Sequence, residues 1–365
     1  MGCCEATNPN LSGKLTKPQV GRAWDWTAEE APLDRRTAVK GMVAAADALT
    51  LGSCSPASQS GLATLRLAFC GQLLCVIPYE VTRARGHFAD EGFDVELVYT
   101  RGGNAAMQAL VGGAVEYAGT SFDVALQASV NGAEILRFAS TGRLPLFALA
   151  VSPEQSGEIQ EIQDLEGRTI GISGLGNADH ALALYVLDRA GADETQVRFA
   201  AIGSNIYDAL RIGQVDAAMV QEPALSLILD VQGTELVNFM EIEQARAQLG
   251  GPYEFMGVAV RASERNERQD EMRRLAAALA RGLSDTRTIP PEEIIEALPS
   301  ALVAGGDIEQ LMDIIARYRL SLYPESVGID VEAARRVEAA QELAGLLTPG
   351  SVDLDALLYT DLLEG

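Results

Sequence analysis

The sequence predicts an α/β protein of two similar lobes, and three observations lead to this prediction. Short strand-like runs alternate with helix-like runs, which is typical of a parallel sheet with helices on its faces. A further apolar run, 145–152, lies between the two passes of this alternation, and another, 255–261, follows the second pass. The second pass also repeats residues of the first at an offset of 100, namely Gly103, Ala109, Leu110, Gly113, Val115 and Ala118 against Gly203, Ala209, Leu210, Gly213, Val215 and Ala218.

The order of elements follows from this periodicity. In the first pass we expect strands at 64–69, 95–99, 115–119 and 135–139 and helices at 78–90, 105–110 and 124–130. In the second we expect strands at 169–172, 197–201 and 215–220 and helices at 177–190, 206–211 and 224–229. The remainder is predicted to be helical at 270–283, 291–298, 308–319 and 331–347.

The domain boundaries follow from the same elements. Residues 63–150 are expected to form the first part of lobe 1, and residues 151–254 lobe 2. Residues 255–365 are expected to return to lobe 1 and to pack their helices on it. Residues 55–62, rich in Ser and Gly, form a linker between the first lobe and residues 1–54.

Residues 1–54 are interpreted as an export signal with a disordered leader. Arg35-Arg36 supplies a charged region, 42–51 is a modest apolar stretch, and Leu51-Gly52-Ser53 places small residues before Cys54. This order resembles a twin-arginine signal that ends in a lipoprotein cleavage box, with Cys54 as the lipidated residue. Asp47 and the long leader depart from that pattern, and a surface helix of a cytoplasmic protein is the alternative.

Composition excludes nucleic acid as a partner. The formal charge of −23 lies entirely on residues 55–365, which hold 22 basic and 45 acidic side chains. A body of that charge repels a phosphate backbone. No G-x-G-x-x-G follows a strand and no G-x-x-x-x-G-K occurs, so we expect no nucleotide cofactor, and two distant histidines support no metal site.

Polar and glycine-rich turns follow the predicted strands, where open parallel sheets bind ligands. We expect ligand-binding residues there, namely Gln72, Leu73, Gly103, Asn104, Ser121, Phe122, Ser173, Gly176, Asn177, Asn205, Gln221 and Glu222. Unpaired backbone N–H groups at such helix starts favour an anion or a carbonyl oxygen. Ordinary helix capping explains each turn taken alone.

Several side chains near these turns have two interpretations. Phe69, Phe122, Tyr207 and Tyr253 could form a stacking wall or belong to the core, and Arg101 and Arg143 are the candidates for an anion clamp. Cys70 and Cys75 could close a disulfide or be two buried thiols beside a turn. No G-x-S-x-G is present, and His180 lies one turn into a helix without a predicted nucleophile, so no catalytic residues are expected.

The run 162–173, IQDLEGRTIGIS, resembles the entry to the second lobe of periplasmic solute-binding proteins. Together with Gly213 to Ala218 and Glu222-Pro223 it resembles the sulfonate, nitrate, taurine and pyrimidine-precursor branch, which is NMT1/THI5-like. The resemblance extends from about residue 65 to residue 348.

This resemblance implies a type 2 periplasmic-binding-protein fold, with hinge strands at 146–151 and 255–260. It also implies a monomeric, extracytoplasmic receptor, anchored by lipid, that passes a sulfonate, a carboxylate or a pyrimidine- or vitamin-like solute to an ABC permease and ATPase. A pyrimidine synthase of the same fold is the enzymatic alternative, although the Cys-rich motif of those enzymes is absent from this sequence. A ligand-gated sensory module is the third interpretation.

The lipid anchor can be tested at its cysteine. Cys54→Ser removes the thiol that would carry the lipid, so we expect the protein to move from the membrane to the soluble fraction of fractionated cells. Cys3→Ser is the matched control and should leave the distribution unchanged. Unchanged membrane association of Cys54→Ser would exclude this anchor.

Overall fold

The computed structural model describes residues 61–303 and 306–363, so the predicted export signal, Cys54 and most of the linker lie outside the described residues. Within these residues the chain forms ten strands in two five-stranded sheets, with helices around both. The predicted fold class, two α/β lobes, is confirmed. No helix of the described part is long and apolar enough to cross a membrane.

The strands are β1 (Ala63–Cys70), β2 (Phe93–Thr100), β3 (Tyr117–Ser121), β4 (Ile135–Gly142), β5 (Ala148–Val151), β6 (Thr169–Ile172), β7 (Arg198–Ala201), β8 (Ala217–Val220), β9 (Thr234–Asn238) and β10 (Met256–Arg261). The helices are α1 (Leu73–Ala84), α2 (His87–Asp90), α3 (Gly103–Val111), α4 (Phe122–Val130), α5 (Ala178–Ala190), α6 (Ile206–Arg211), α7 (Ala224–Asp230), α8 (Ile242–Leu249), α9 (Gln269–Thr288), α10 (Pro291–Ala297), α11 (Ser300–Val303), α12 (Ile308–Leu322), α13 (Val331–Leu343) and α14 (Leu354–Leu357).

The two sheets share one topology. Their strand orders are β2-β1-β3-β10-β4 and β7-β6-β8-β5-β9. In each sheet the fourth strand runs antiparallel to both neighbours, and the chain enters it from the other lobe. The residues that recur at an offset of 100 in the sequence therefore belong to two sheets of the same topology. Strand β9 and helix α8 complete the second lobe and were not predicted, because 234–249 is too polar to show a clear period.

The predicted helix start at Pro78 was wrong, because α1 begins five residues earlier, at Leu73. Proline is common at the start of a helix because it lacks an N–H, but here it stands inside the helix and leaves the carbonyl of Leu74 without its usual donor. The hydroxyl of Tyr323 donates to that carbonyl at 2.8 Å. A hydrogen bond from a residue 249 positions away thus compensates for the N–H that Pro78 lacks.

The C-terminal helices cover the first lobe and also reach the second. Helix α9 approaches α1 so closely that a Cβ on Gly282 would lie 1.7 Å from the hydroxyl oxygen of Thr82. Helix α13 packs against α4 of the first lobe and α5 of the second. The amide of Asn238, at the end of β9, donates to the hydroxyl of Tyr318 on α12 at 2.9 Å. The C-terminal segment therefore contacts both lobes, which is more than the sequence predicted.

Two connections join the lobes, at 143–147 and 239–255. The runs predicted as hinge strands lie beside these connections, but each forms a strand of one sheet only, β5 or β10. The connections are hydrogen-bonded to each other, since Tyr253 N donates to the Arg143 carbonyl at 2.9 Å and Phe239 N to the Phe147 carbonyl at 3.0 Å.

A buried arginine holds the second connection to the first sheet. Arg137 is fully buried, and its guanidinium donates to the carbonyls of Thr120 and Phe255, each at 2.9 Å. It also contacts Glu254 at 3.3 Å. The guanidinium lies across Gly257, where a Cβ would be 2.5 Å from Arg137 Nη2. Burial raises the pKa of Glu254 to about 7, although Arg137 opposes the shift.

Removing this guanidinium should be costly. Arg137→Met leaves the buried carboxyl of Glu254 without its ion-pair partner, and we expect a loss of about 3–5 kcal/mol in the free energy of unfolding at pH 8. Urea unfolding followed by circular dichroism measures the loss. Adding Glu254→Gln should recover part of it, and lowering the pH below 7 should do the same. An equal loss in the single and double variants would contradict this interpretation.

Candidate functional site

The topology brings the carboxyl ends of the two sheets together. In the first sheet, β4 ends at Gly142 and β10 begins at Met256, which is paired with Ser121 at the end of β3. In the second sheet, β5 begins at Ala148, which is paired with Val220 at the end of β8. Both connections therefore leave and enter at carboxyl ends of parallel strands. Because the connection 143–147 is short and is hydrogen-bonded to the connection 239–255, the two strand-end edges face one another across a cleft.

The predicted ligand-binding residues lie along these two edges but differ in exposure. Gln72, Asn104, Ser173 and Asn205 are exposed, whereas Gly103, Ser121, Gly176, Asn177 and Gln221 are half-buried. Leu73, Phe122 and Glu222 are buried. The exposed and half-buried residues are accessible to a solute. The buried ones can only support the walls of the cleft.

Close packing fixes the first-lobe turns. A Cβ on Gly103 would already lie 3.1 Å from Val124 Cγ2, so α3 begins directly against α4. Ser121 precedes α4, and its side chain makes no capping hydrogen bond. The backbone N–H of Phe122 donates to the Phe255 carbonyl at 2.7 Å, which ties this turn to the second connection. The rings of Phe147 and Phe255 meet edge to face where the connections run together.

Asp123 is a buried acid at the first-lobe edge. Its Oδ1 accepts from Gln341 Nε2 at 2.7 Å and from the Tyr253 hydroxyl at 3.4 Å, while Oδ2 has no hydrogen-bond partner among the described residues. Burial raises the pKa of Asp123 to about 6, and the bond from Gln341 limits the shift.

The turn that opens α5 is held by side chains of the helix itself. Asp179 is fully buried and accepts both the backbone N–H and, at 2.8 Å, the hydroxyl of Ser173. Asn177 Nδ2 donates to the same hydroxyl oxygen at 2.9 Å. Gly176 N donates to His180 Nδ1 at 3.1 Å, and burial lowers the pKa of His180.

Glu222 is buried and hydrogen-bonded to the start of α7. Its carboxylate accepts the backbone N–H and the hydroxyl of Ser226, each at 3.1 Å, and interacts with the hydroxyl of Tyr318. Burial raises the pKa of Glu222. The peptide bond between Glu222 and Pro223 is cis. Glu222 therefore supports the strand end and links it to α12.

The arginines and aromatic rings proposed from the sequence have structural roles, except Arg101. Arg143 donates to the carbonyls of Leu320 and Ser321 near the end of α12, and Arg101 is exposed beyond β2. Phe69, Phe122 and Tyr253 are fully buried, so they belong to the core, and Tyr207 is half-buried with Arg211 over its ring.

Cys70 and Cys75 are free and buried at the first-lobe turn. The Cys75 thiol lies 3.8 Å from both Gln72 Oε1 and Met256 Sδ. Interaction between the neighbouring thiols lowers the pKa of Cys70 and, together with burial, raises that of Cys75.

Little in the sequence indicated the buried acids. Asp123, Asp179 and Glu222 stand in the first turns of helices or just before them, where acids are common for reasons of helix polarity alone. Asp179 and Glu222 are bonded to the nearby Ser173 and Ser226, whereas Gln341 and Tyr318, which interact with Asp123 and Glu222, are far away in the chain.

The fold is that of the two-lobed periplasmic binding proteins. The aliphatic sulphonate binding protein SsuA from Escherichia coli superposes with a TM-score of 0.64 at 18% identity, over 81% of this chain and 92% of that one. The nitrate-binding protein NrtA from Synechocystis gives a TM-score of 0.68 at 11% identity, over 83% and 88%. A Bordetella bronchiseptica protein gives 0.70 at 22% identity, over 82% and 96%.

Residues 75–293 match the NMT1/THI5-like family, and the chain belongs to it. Among curated proteins it is similar to the riboflavin-binding protein RibY from Chloroflexus aurantiacus, at 24% identity over 304 residues, which are 79% of this chain and 82% of that protein.

The raised pKa of Asp123 predicts a pH effect on stability. Folding raises this pKa from 3.8 to about 6, so the carboxyl stabilises the fold at low pH and loses that contribution as the pH rises from 4 to 6. Asp123→Asn should flatten the fall in unfolding free energy over this range, measured by urea unfolding at several pH values. Asp313→Asn, on α12, is the control and should keep the slope. An unchanged slope in Asp123→Asn would contradict the assignment.

Proposed function

We propose that this protein is the solute-binding component of an ABC-type importer and that it captures a small organic solute between its two lobes. The observation that carries the proposal is the meeting of two strand-end edges, each with accessible polar side chains, at two connections that are hydrogen-bonded to each other. Membership in the NMT1/THI5-like family and the likeness to periplasmic binding proteins support it.

The solute would be held by residues of both edges. Gln72, Asn104 and Ser121 would contribute hydrogen bonds from the first lobe, and Ser173, Asn177, Asn205 and Gln221 from the second. Gly103 and Gly176 would let the backbone approach the solute, with Leu73 and Phe122 beneath as apolar support. Closure about 143–147 and 239–255 would then exclude water from the bound solute.

Relatives differ in the solutes for which they are named. SsuA is named for sulphonates, NrtA for nitrate and RibY for riboflavin, and RibY is a curated relative with 24% sequence identity. We therefore propose a pyrimidine- or flavin-like solute ahead of a sulfonate or a carboxylate.

The receptor would act outside the cytoplasm. Cys54 would carry a lipid that keeps it at the membrane, beside the permease and ATPase that receive the solute. We propose that it works as a monomer, since one cleft between two lobes of the same chain suffices for binding.

A thermal-shift screen of the full chain carrying Cys54→Ser tests the function. Sulfonates, carboxylates, pyrimidines and flavins are the probes, and a solute at 100 times its dissociation constant should stabilise the fold by about 2.7 kcal/mol. Gln221→Ala should then weaken binding about tenfold, since one hydrogen bond in a closed site is worth about 1 kcal/mol or more.

Gln214→Ala is the matched control, since Gln214 is exposed before the opposite end of the strand β8. Equal effects of the two variants would place the solute elsewhere. If no probe binds but a pyrimidine precursor forms when iron is added, the chain is a synthase and the proposal is wrong.

A further inference from the structure

The amino end of α5 is already occupied by a carboxylate side chain of the protein itself, that of Asp179. The Asp179 carboxylate is fully buried and accepts the N–H and the hydroxyl of Ser173, the first residue after β6. The N–H of Gly176 donates to His180. These are donors that an incoming anion would use at this edge of the cleft, and all of them are bonded within the chain.

Two other strand ends add buried carboxylates. Asp123 follows β3 and Glu222 follows β8, and both carboxylates are buried. The guanidinium groups of Arg137 and Arg143 donate to backbone carbonyls and cannot turn to a solute without leaving those carbonyls unpaired. Arg101 is exposed at the edge strand, where water screens its charge.

We infer that Asp179 is a specificity-determining residue that occupies the anion position of the second lobe and thereby makes the cleft select uncharged or cationic solutes over sulfonates and carboxylates. This inference rests on the proposed function and deepens it. A bound sulfonate beside this carboxylate would suffer like-charge repulsion in a poorly hydrated site, and it would find the Ser173 donors already taken. The side chains of Ser173 and Asn177 still offer oxygen acceptors to a solute that carries N–H or O–H groups.

Chemical rescue tests whether Asp179 is a resident anion. Asp179→Ala removes the carboxylate and leaves the Ser173 donors without an acceptor, so the variant should melt below the parent protein. Formate, acetate or sulfate at tens of millimolar, against chloride of equal ionic strength, should then raise its melting temperature by about 3 °C more than that of the parent.

Asp193→Ala is the matched control. Asp193 also accepts the N–H and the hydroxyl of one residue, Thr195, but it is exposed and distant from the strand ends. Its melting temperature should respond to the same anions as the parent protein does. Equal responses of the two variants would overturn the inference.

A second variant keeps the test decisive if Asp179→Ala does not fold. Asp179→Asn preserves the shape of the side chain and removes its charge, and calorimetry should show ethanesulfonate binding at least tenfold more tightly than in the parent protein. Failure of both variants to gain affinity for anions overturns the inference, as does tight binding of ethanesulfonate by the parent. The latter result would leave the importer function intact, whereas that function fails only if the solute screen finds no ligand at all.

Discussion

The contact on which the rest of the structure depends is the buried guanidinium of Arg137. It joins the carbonyl of Thr120, at the end of β3, to that of Phe255, just before β10. The same group lies 5.3 Å from the ring of Phe122 and pairs with Glu254. A buried charge is tolerated only with such partners, so its geometry fixes where the second connection enters the first sheet. The cleft takes its position from that point.

The lobes are linked by more than their two connections. Tyr318 on α12 contacts Asn238 and Glu222 of the second lobe, while Tyr323, just beyond the end of the same helix, donates to Leu74 of the first. Helix α13 lies against α4 and α5. The closure proposed for solute binding would have to keep or rearrange these contacts. Glu222 joins this network directly to a strand end of the cleft.

The charge of the cleft follows the charge of the whole chain. With a formal charge of −23 and three buried acids at the strand ends, the field around the site attracts cations and repels anions. Burial raises the pKa of Asp123, Asp179 and Glu222. The fold is shared with proteins named for sulphonate and nitrate, so the selectivity proposed for this chain rests on side chains at the strand ends and not on the fold.

The sequence by itself determined the two α/β lobes, their repeat and the strand-end edges, because these depend on the local periodicity of apolar residues and on glycines in turns. It misplaced the start of α1 and did not reveal β9. A proline locally suggests the start of a helix and a polar segment suggests a loop, but contacts with residues far away in the chain decide the structure at both places. Only the tertiary structure decided that Glu222 supports the edge and that Asp179 fills the turn before α5 with a carboxylate. The physical reason is that the effect of a buried charge depends on partners such as Tyr318 and Ser173, and folding alone brings those partners into contact.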